Sequence, residues 1–131
     1  MADSRILQIM IVDDQAVFRH ALRALLKILP NLSIVGEANN GQDALELALT
    51  VKPDVVLMDI NMPGMDGLEA TNQLGKLLPE TKVLVLTQHD STQAVNAARA
   101  AGASGYLTKS DSRKLILALG ALSQGIPYFP A

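Results

Sequence analysis

Val55–Ala70 reads VVLMDINMPGMDGLEA, and this stretch decides the architecture. Val55 to Met58 are four consecutive apolar residues introduced by Pro53, a pattern that suits a short strand covered on both faces rather than one with a wet side. Asp59 stands where that strand ends. A loop containing Pro63, Gly64 and Gly67 follows, then a helical pattern that runs to Leu78 and is stopped by Pro79. One strand, one acid, one loop and one helix therefore form a unit.

The same unit recurs on either side. Upstream, Ile6 to Val12 is nearly all apolar. It leads into a helix from Ala16 to Leu29, where Phe18, Leu22, Leu25, Leu26 and Leu29 fall at helical spacing between Arg19, Arg23 and Lys27. Pro30 and Asn31 end it. Ser33 to Ala38 reads as a second strand, and Asn40 and Gly41 open a helix through Leu49. Downstream, Lys82 to Leu86 is the fourth strand, and Ser91 caps an Ala-rich helix closed after Ala101 by Gly102. Gly105 to Leu107 is the fifth strand, and a last helix spans Asp111 to Ser123. The tail Ile126 to Ala131, with two prolines, reads as the start of a linker, so the domain is placed at residues 1–125 and the linker or tail at 126–131. Five alternations of strand and helix predict an α/β fold, a five-stranded parallel sheet doubly wound as (βα)5, because right-handed crossovers leave few other arrangements.

Composition bounds the function. A chain of 131 residues with an apolar share of 49% can build one real core. The formal charge of -2 provides no basic excess to neutralise phosphates, so direct nucleic-acid binding by this chain is not expected. The absence of cysteine removes disulfides and thiolate metal sites and fits a reducing compartment. The apolar run in MADSRILQIMIVDD is too short to span a membrane and meets two acids at once, which predicts a soluble, cytoplasmic chain without membrane contact.

In such sheets the binding crevice lies at the carboxyl ends of the strands. Those ends carry Asp13 and Asp14, then Asp59, Thr87 and Lys109: three carboxylates, a hydroxyl and an ammonium. Two carboxylates ~4 Å apart repel by about 4 kcal/mol at an effective dielectric near 20, so this cluster calls for a cation. An all-oxygen set suits Mg²⁺ or Mn²⁺ better than zinc. Asp14 and Asp59 are the expected direct ligands, with Asp13 through water and the main-chain carbonyl of Asn61 completing the set. Phosphoryl transfer to the Asp59 carboxylate is the chemistry that follows, with Lys109 and Thr87 on the phosphoryl oxygens. Taken singly, each residue has a plainer role: an Asp after a strand is commonly a turn residue or helix cap, Thr87 a capping threonine and Lys109 a solvated charge.

The order IMIVDD, VVLMDINMPGMDGLEA, VLVLT and GYLTK resembles the receiver domain of response regulators, over about Ile6 to Gly125, and the DxNMPGMDG stretch is its most specific part. The resemblance implies a flavodoxin-like receiver fold. It implies acid-pocket roles for Asp13 and Asp14, the phosphoacceptor role for Asp59, a switch hydroxyl at Thr87, a switch aromatic at Tyr106 and a phosphate-binding lysine at Lys109. It also implies a sensor histidine kinase as phosphodonor. Gly125 and Tyr128 match the Gly-x-x-Tyr turn of NarL/FixJ (LuxR-type) regulators, in which a helix-turn-helix output domain that binds DNA follows the linker. The expectation is a receiver from a longer transcription regulator; the alternative is a stand-alone single-domain regulator. Gln88 departs from the small residue usual after the switch hydroxyl, which makes it a candidate modulator of access to the site.

Three rival functions are weaker. A phosphatase with an aspartyl nucleophile carries a second Asp two residues on as general acid, and here that position is Asn61. A nucleotide- or flavin-binding module needs glycines in the first turn, where this chain has two acids. A phosphorylation-independent interaction domain has no need of the full acid, threonine and lysine set. Finally, Leu115 to Leu122 contains no polar side chain on any face, which marks Leu115, Ile116, Leu117 and Leu119 as a candidate interface, either for a homodimer or for an output domain.

Overall fold

The computed structural model describes residues 6–62, 66–88 and 91–130. Pro63 and Gly64 of the loop after Asp59 lie outside them, as do the first five residues and Ala131. The strands are β1 (Leu7–Val12), β2 (Leu32–Ala38), β3 (Val55–Met58), β4 (Lys82–Thr87) and β5 (Gly105–Thr108). The helices are α1 (Ala16–Lys27), α2 (Gly41–Val51), α3 (Gly67–Leu77), α4 (Thr92–Ala101) and α5 (Leu115–Ser123). All strand pairs are parallel, in the order β2-β1-β3-β4-β5, so the predicted doubly wound sheet is the observed one. The order reverses between β1 and β3, the point at which open α/β sheets leave a crevice. Val12 pairs with Met58 and Thr87 with Thr108, which brings Asp13, Asp59, Thr87 and Lys109 to one edge of the sheet.

The continuous apolar runs are explained by the packing on both faces. Met10, Val12, Val56 and Met58 point to a layer formed with Ala44 and Ala48 of α2, Ala70 and Leu74 of α3 and Ala98 of α4. Ile9, Ile11, Val55 and Leu57 point the other way, to Leu22 and Leu26 of α1 and Leu115, Ala118, Leu119 and Leu122 of α5. Each buried Val, Leu, Ile or Met among them contributes about 1.5–3 kcal/mol of transfer free energy, which offsets the ordering entropy of the chain. Among the described residues no helix is long and apolar enough to cross a membrane.

Helix ends follow local chemistry. The Asn40, Asp66 and Ser91 side chains accept the N–H of Asp43, Glu69 and Ala94, and Gly102 closes α4 at φ 100°. One expectation needs correction. The last helix does not start at Asp111: Lys109–Lys114 is a 3₁₀ segment, irregular at Asp111, and α5 begins at Leu115. The Thr108 hydroxyl lies 3.1 Å from that of Ser110 and 3.4 Å from the Asp111 carboxylate, and such local polar pairings compete with the α-helical ladder. The tail at residues 126, 128 and 129 is held against the domain. Tyr128 donates its N–H to the Ser104 carbonyl and accepts from the Tyr106 N–H, forming a one-residue parallel bridge on the edge of β5. Phe129 packs on the core, with the Arg99 guanidinium 4.0 Å from its ring centroid.

Candidate functional site

Backbone pairing carries the two buried acids past the ends of their strands. The Asp13 N–H donates to the Ala38 carbonyl at 3.0 Å, and the Asp59 N–H donates to the Val12 carbonyl at 2.9 Å, so each main chain is fixed by its sheet neighbour. Each carboxylate also accepts an N–H from two residues on: Asp13 Oδ1 from Gln15 at 2.8 Å, and Asp59 Oδ1 from Asn61 at 3.1 Å. These Asx turns orient the side chains and leave the Oδ2 atoms free to face inward. Lys109 Nζ lies 2.7 Å from Asp13 Oδ2 and 3.6 Å from Asp59 Oδ2. Asp14 is exposed beside them, and carboxylate oxygens of Asp13, Asp14 and Asp59 all lie within 4.8 Å of one another.

Gly67 holds α3 against this site. A Cβ there would meet the Asp59 carbonyl oxygen at 2.1 Å and the Ile60 Cα at 2.7 Å, so only a glycine lets the helix start so close to the acid. Thr87 ends β4 fully buried, with the Asn61 side-chain amide 3.4 Å from its hydroxyl. Tyr106 is also buried, at 1% exposure, so its ring lies inward. Asp14, Gln15, Asp59, Asn61, Gln88 and Lys109 line a cleft of about 100 Å³. Gln88 is thus at the site, on its exposed rim.

Burial pushes the Asp59 carboxyl above the ordinary carboxylate range. The Asn61 N–H opposes this rise, the Asp13 charge adds to it, Lys109 opposes it, and Asp14 adds again. With all three acids ionised, the cluster holds two more negative charges than Lys109 neutralises. Arg19 does not fill the gap, because its Nε sits 3.3 Å from Glu37 and its Nη1 donates to the Asp13 carbonyl rather than the carboxylate. An all-oxygen, net-negative cluster of this size fits a hard divalent cation.

Sequence reasoning missed Gln15 and Phe18, which contact Lys109 at 3.1 Å and 4.3 Å, the latter measured to the ring centroid. Phe18 carries a core signal and Gln15 no signal at all, since both contacts bridge residues more than ninety positions apart. It also missed the Arg19 and Arg23 ion pairs with Glu37, the first of which stands beside Asp13. Of the four candidate interface residues in α5, Leu115 and Leu119 are buried in the chain's own core, which removes them from any surface; Ile116 and Leu117 are exposed at 52% and 64%.

Residues 9–120 match the family model for the response regulator receiver domain. The chain belongs to that family. DegU, a transcriptional regulatory protein of Brevibacillus brevis, is 42% identical over 93% of this chain and 52% of its own length. The nitrate/nitrite response regulator protein NarP of Escherichia coli is 38% identical over 98% of this chain and 60% of its own. Among solved structures, a LuxR-family two-component response regulator from Aurantimonas superposes with a TM-score of 0.90 at 35% identity, over 94% of this chain and 89% of that one. The receiver domain of the response regulator NarL from Mycobacterium tuberculosis gives 0.83 at 33%, over 91% and 98%. This receiver is therefore of the LuxR type, and it spans about half the length of the first curated relatives it matches. Receiver domains are signalling domains.

Proposed function

We propose that Asp59 is the phosphoacceptor of this receiver and that a sensor histidine kinase supplies the phosphoryl group. An Asp59 carboxylate oxygen forms the new bond to phosphorus while the phosphorus–nitrogen bond of the donor phosphohistidine breaks, its electron pair returning to the imidazole. The observation that carries this reading is the pairing of a buried, sheet-anchored carboxylate with an ammonium 3.6 Å away and two further acids within 4.8 Å. Asp13, Asp14, Asp59 and the carbonyl of Asn61 would hold Mg²⁺ or Mn²⁺. Bound there, the ion neutralises charge on the transferring group. Lys109 takes a second phosphoryl oxygen and the Thr87 hydroxyl, once drawn toward the arriving group, a third. Gln88, on the rim of the cleft, limits the entry of water and small donors.

Thr87 and Tyr106 form the switch, the hydroxyl moving toward the phosphoryl group and the ring occupying the space it leaves. The inward ring of this structure is the position that the reading assigns to the phosphorylated form. Beryllofluoride-bound and free structures with the same Thr87 and Tyr106 positions would refute the switch. The output is transcription regulation through a DNA-binding domain of a longer cytoplasmic protein, supported by the names and lengths of the relatives. The deciding experiment is an intact-mass spectrum after incubation with acetyl phosphate and Mg²⁺. One added phosphoryl group, absent without the metal and absent in Asp59→Asn, is the expected result; undiminished labelling of that variant overturns the assignment.

A further inference from the structure

Lys109 is held by more than carboxylates. Its ammonium stands 4.3 Å from the centroid of the Phe18 ring and 3.1 Å from the amide oxygen of Gln15, in addition to its pairs with Asp13 and Asp59. Gln15 occupies the N-cap of α1, where a short Ser, Thr, Asp or Asn side chain would normally bond the first turn. It makes no capping bond; its N–H is taken by Asp13 and its side chain reaches across to Lys109. Phe18, in the first turn of the same helix, is half-buried against the core layer of α1 and α5, so its ring is anchored from behind.

We propose that Phe18 and Gln15 are positioning residues for Lys109, a neutral cradle that keeps its ammonium at the mouth of the site as it passes from Asp13 to a phosphoryl oxygen on Asp59. The proposal rests on the reading of Asp59 as phosphoacceptor. A third carboxylate would hold the cation equally well but would deepen an existing excess of negative charge. The ring face and the amide oxygen attract an ammonium through a quadrupole and a dipole and add no charge. This matters because Lys109 and a divalent ion compete for Asp13. A lysine held by Asp13 alone at 2.7 Å would either block the metal or be left without a partner once the metal arrived. With the cradle, the ammonium gives up Asp13 and keeps two partners. At 9% side-chain exposure Lys109 is largely out of water, so the pull of the ring is little screened.

The test replaces Phe18 with mono-, di- and trifluorophenylalanine, which drain the negative ring face while keeping an apolar ring of nearly the same size. The rate of Asp59 labelling by acetyl phosphate and Mg²⁺ should fall stepwise, by about five-fold at the trifluoro stage, with Tm unchanged. In a Lys109→Met background the same series should be flat. A flat series in the parent, or an equal fall in the Lys109→Met background, overturns the proposal. Asp59→Asn run alongside separates the two claims: if it still labels, the phosphoacceptor reading fails. Proton NMR then judges the cradle without any chemistry, since the Lys109 Cε protons should show a ring-current shift that Phe18→Leu abolishes. Absence of that shift in the parent also overturns it.

Discussion

Replacing Lys109 with Met keeps an unbranched apolar stem and deletes the ammonium that pairs with both Asp13 and Asp59. Both carboxylates stay buried, at 2% and 4% exposure, and within 4.8 Å of each other. At that spacing they repel by about 3.5 kcal/mol at an effective dielectric of 20, while the lost attraction of Lys109 for Asp59 at 3.6 Å is about 4.6 kcal/mol on the same scale. Desolvation of the ammonium, no longer incurred, offsets part of this. Removal of one partner from a buried pair costs about 3–5 kcal/mol in general, and about 3 kcal/mol is the figure expected here.

For a chain of this length that loss lowers Tm by about 10 °C, read by circular dichroism in EDTA and checked by urea titration. Millimolar Mg²⁺ should return most of it, because a divalent ion among the acids replaces the missing charge. The metal-induced gain should therefore be larger in Lys109→Met than in the parent. Acidification should shrink the EDTA difference too, as the carboxyls take up protons and the repulsion vanishes. Equal melting of the two proteins in EDTA, or an equal Mg²⁺ gain in both, would refute the account of the site as a charge cluster in need of cations.

Three other outcomes follow from particular contacts. Because burial raises the Asp59 pKa, the folded chain binds its proton more tightly than the unfolded chain, so stability from this group is present at acid pH and lost as pH rises through the folded value. Asp59→Asn should accordingly melt above the parent at pH 7 in EDTA and match it at low pH; a variant less stable at pH 7 would contradict the sign. Gly67→Ala forces a Cβ onto the Asp59 carbonyl at 2.1 Å, so it should cost about 1–3 kcal/mol as an overpacking change and slow labelling, and a Tm within 1 °C of the parent would refute the close packing. Leu119→Ala, at 4% exposure, should cost about 2–5 kcal/mol, whereas Leu117→Glu, at 64%, should leave Tm within about 2 °C and weaken any dimer seen by sedimentation.

The fold and the anchor points of the site were legible because both depend on short-range pattern. β1, β3 and β4 were visible as apolar runs with an acid or hydroxyl at their ends, and parallel topology then placed those ends on one edge with Lys109. Val55–Met58 was found to the residue, since Pro53 and Asp59 bracket it. The 3₁₀ start of the last helix was not, because helical periodicity in Leu115–Leu122 says nothing of how Ser110 and Asp111 pair locally. The docking of Tyr128 on β5 was hidden for another reason: a backbone bridge leaves no side-chain signature, and two prolines read as linker. The width of the apolar surface on α5 was overread, as four of its eight residues are core.

On the proposed reading, the cluster sets a conflict between folding and reactivity. A carboxylate buried to 4% exposure is costly when ionised, yet only the ionised form is a nucleophile. Burial alone raises the cost of ionising Asp59, and exposure alone would leave it solvated and badly aimed. The structure resolves this by fixing the main chain of Asp59 in the sheet, orienting one oxygen with the Asn61 N–H and supplying Lys109 to the other. The remaining negative charge is what a divalent ion would remove. On the proposed reading, metal binding relieves the charge that burial makes costly at Asp59, so labelling rate plotted against Mg²⁺ concentration should track the metal-induced gain in Tm. Separate midpoints for the two curves would show that the metal's role in the reaction is distinct from its relief of the buried charge.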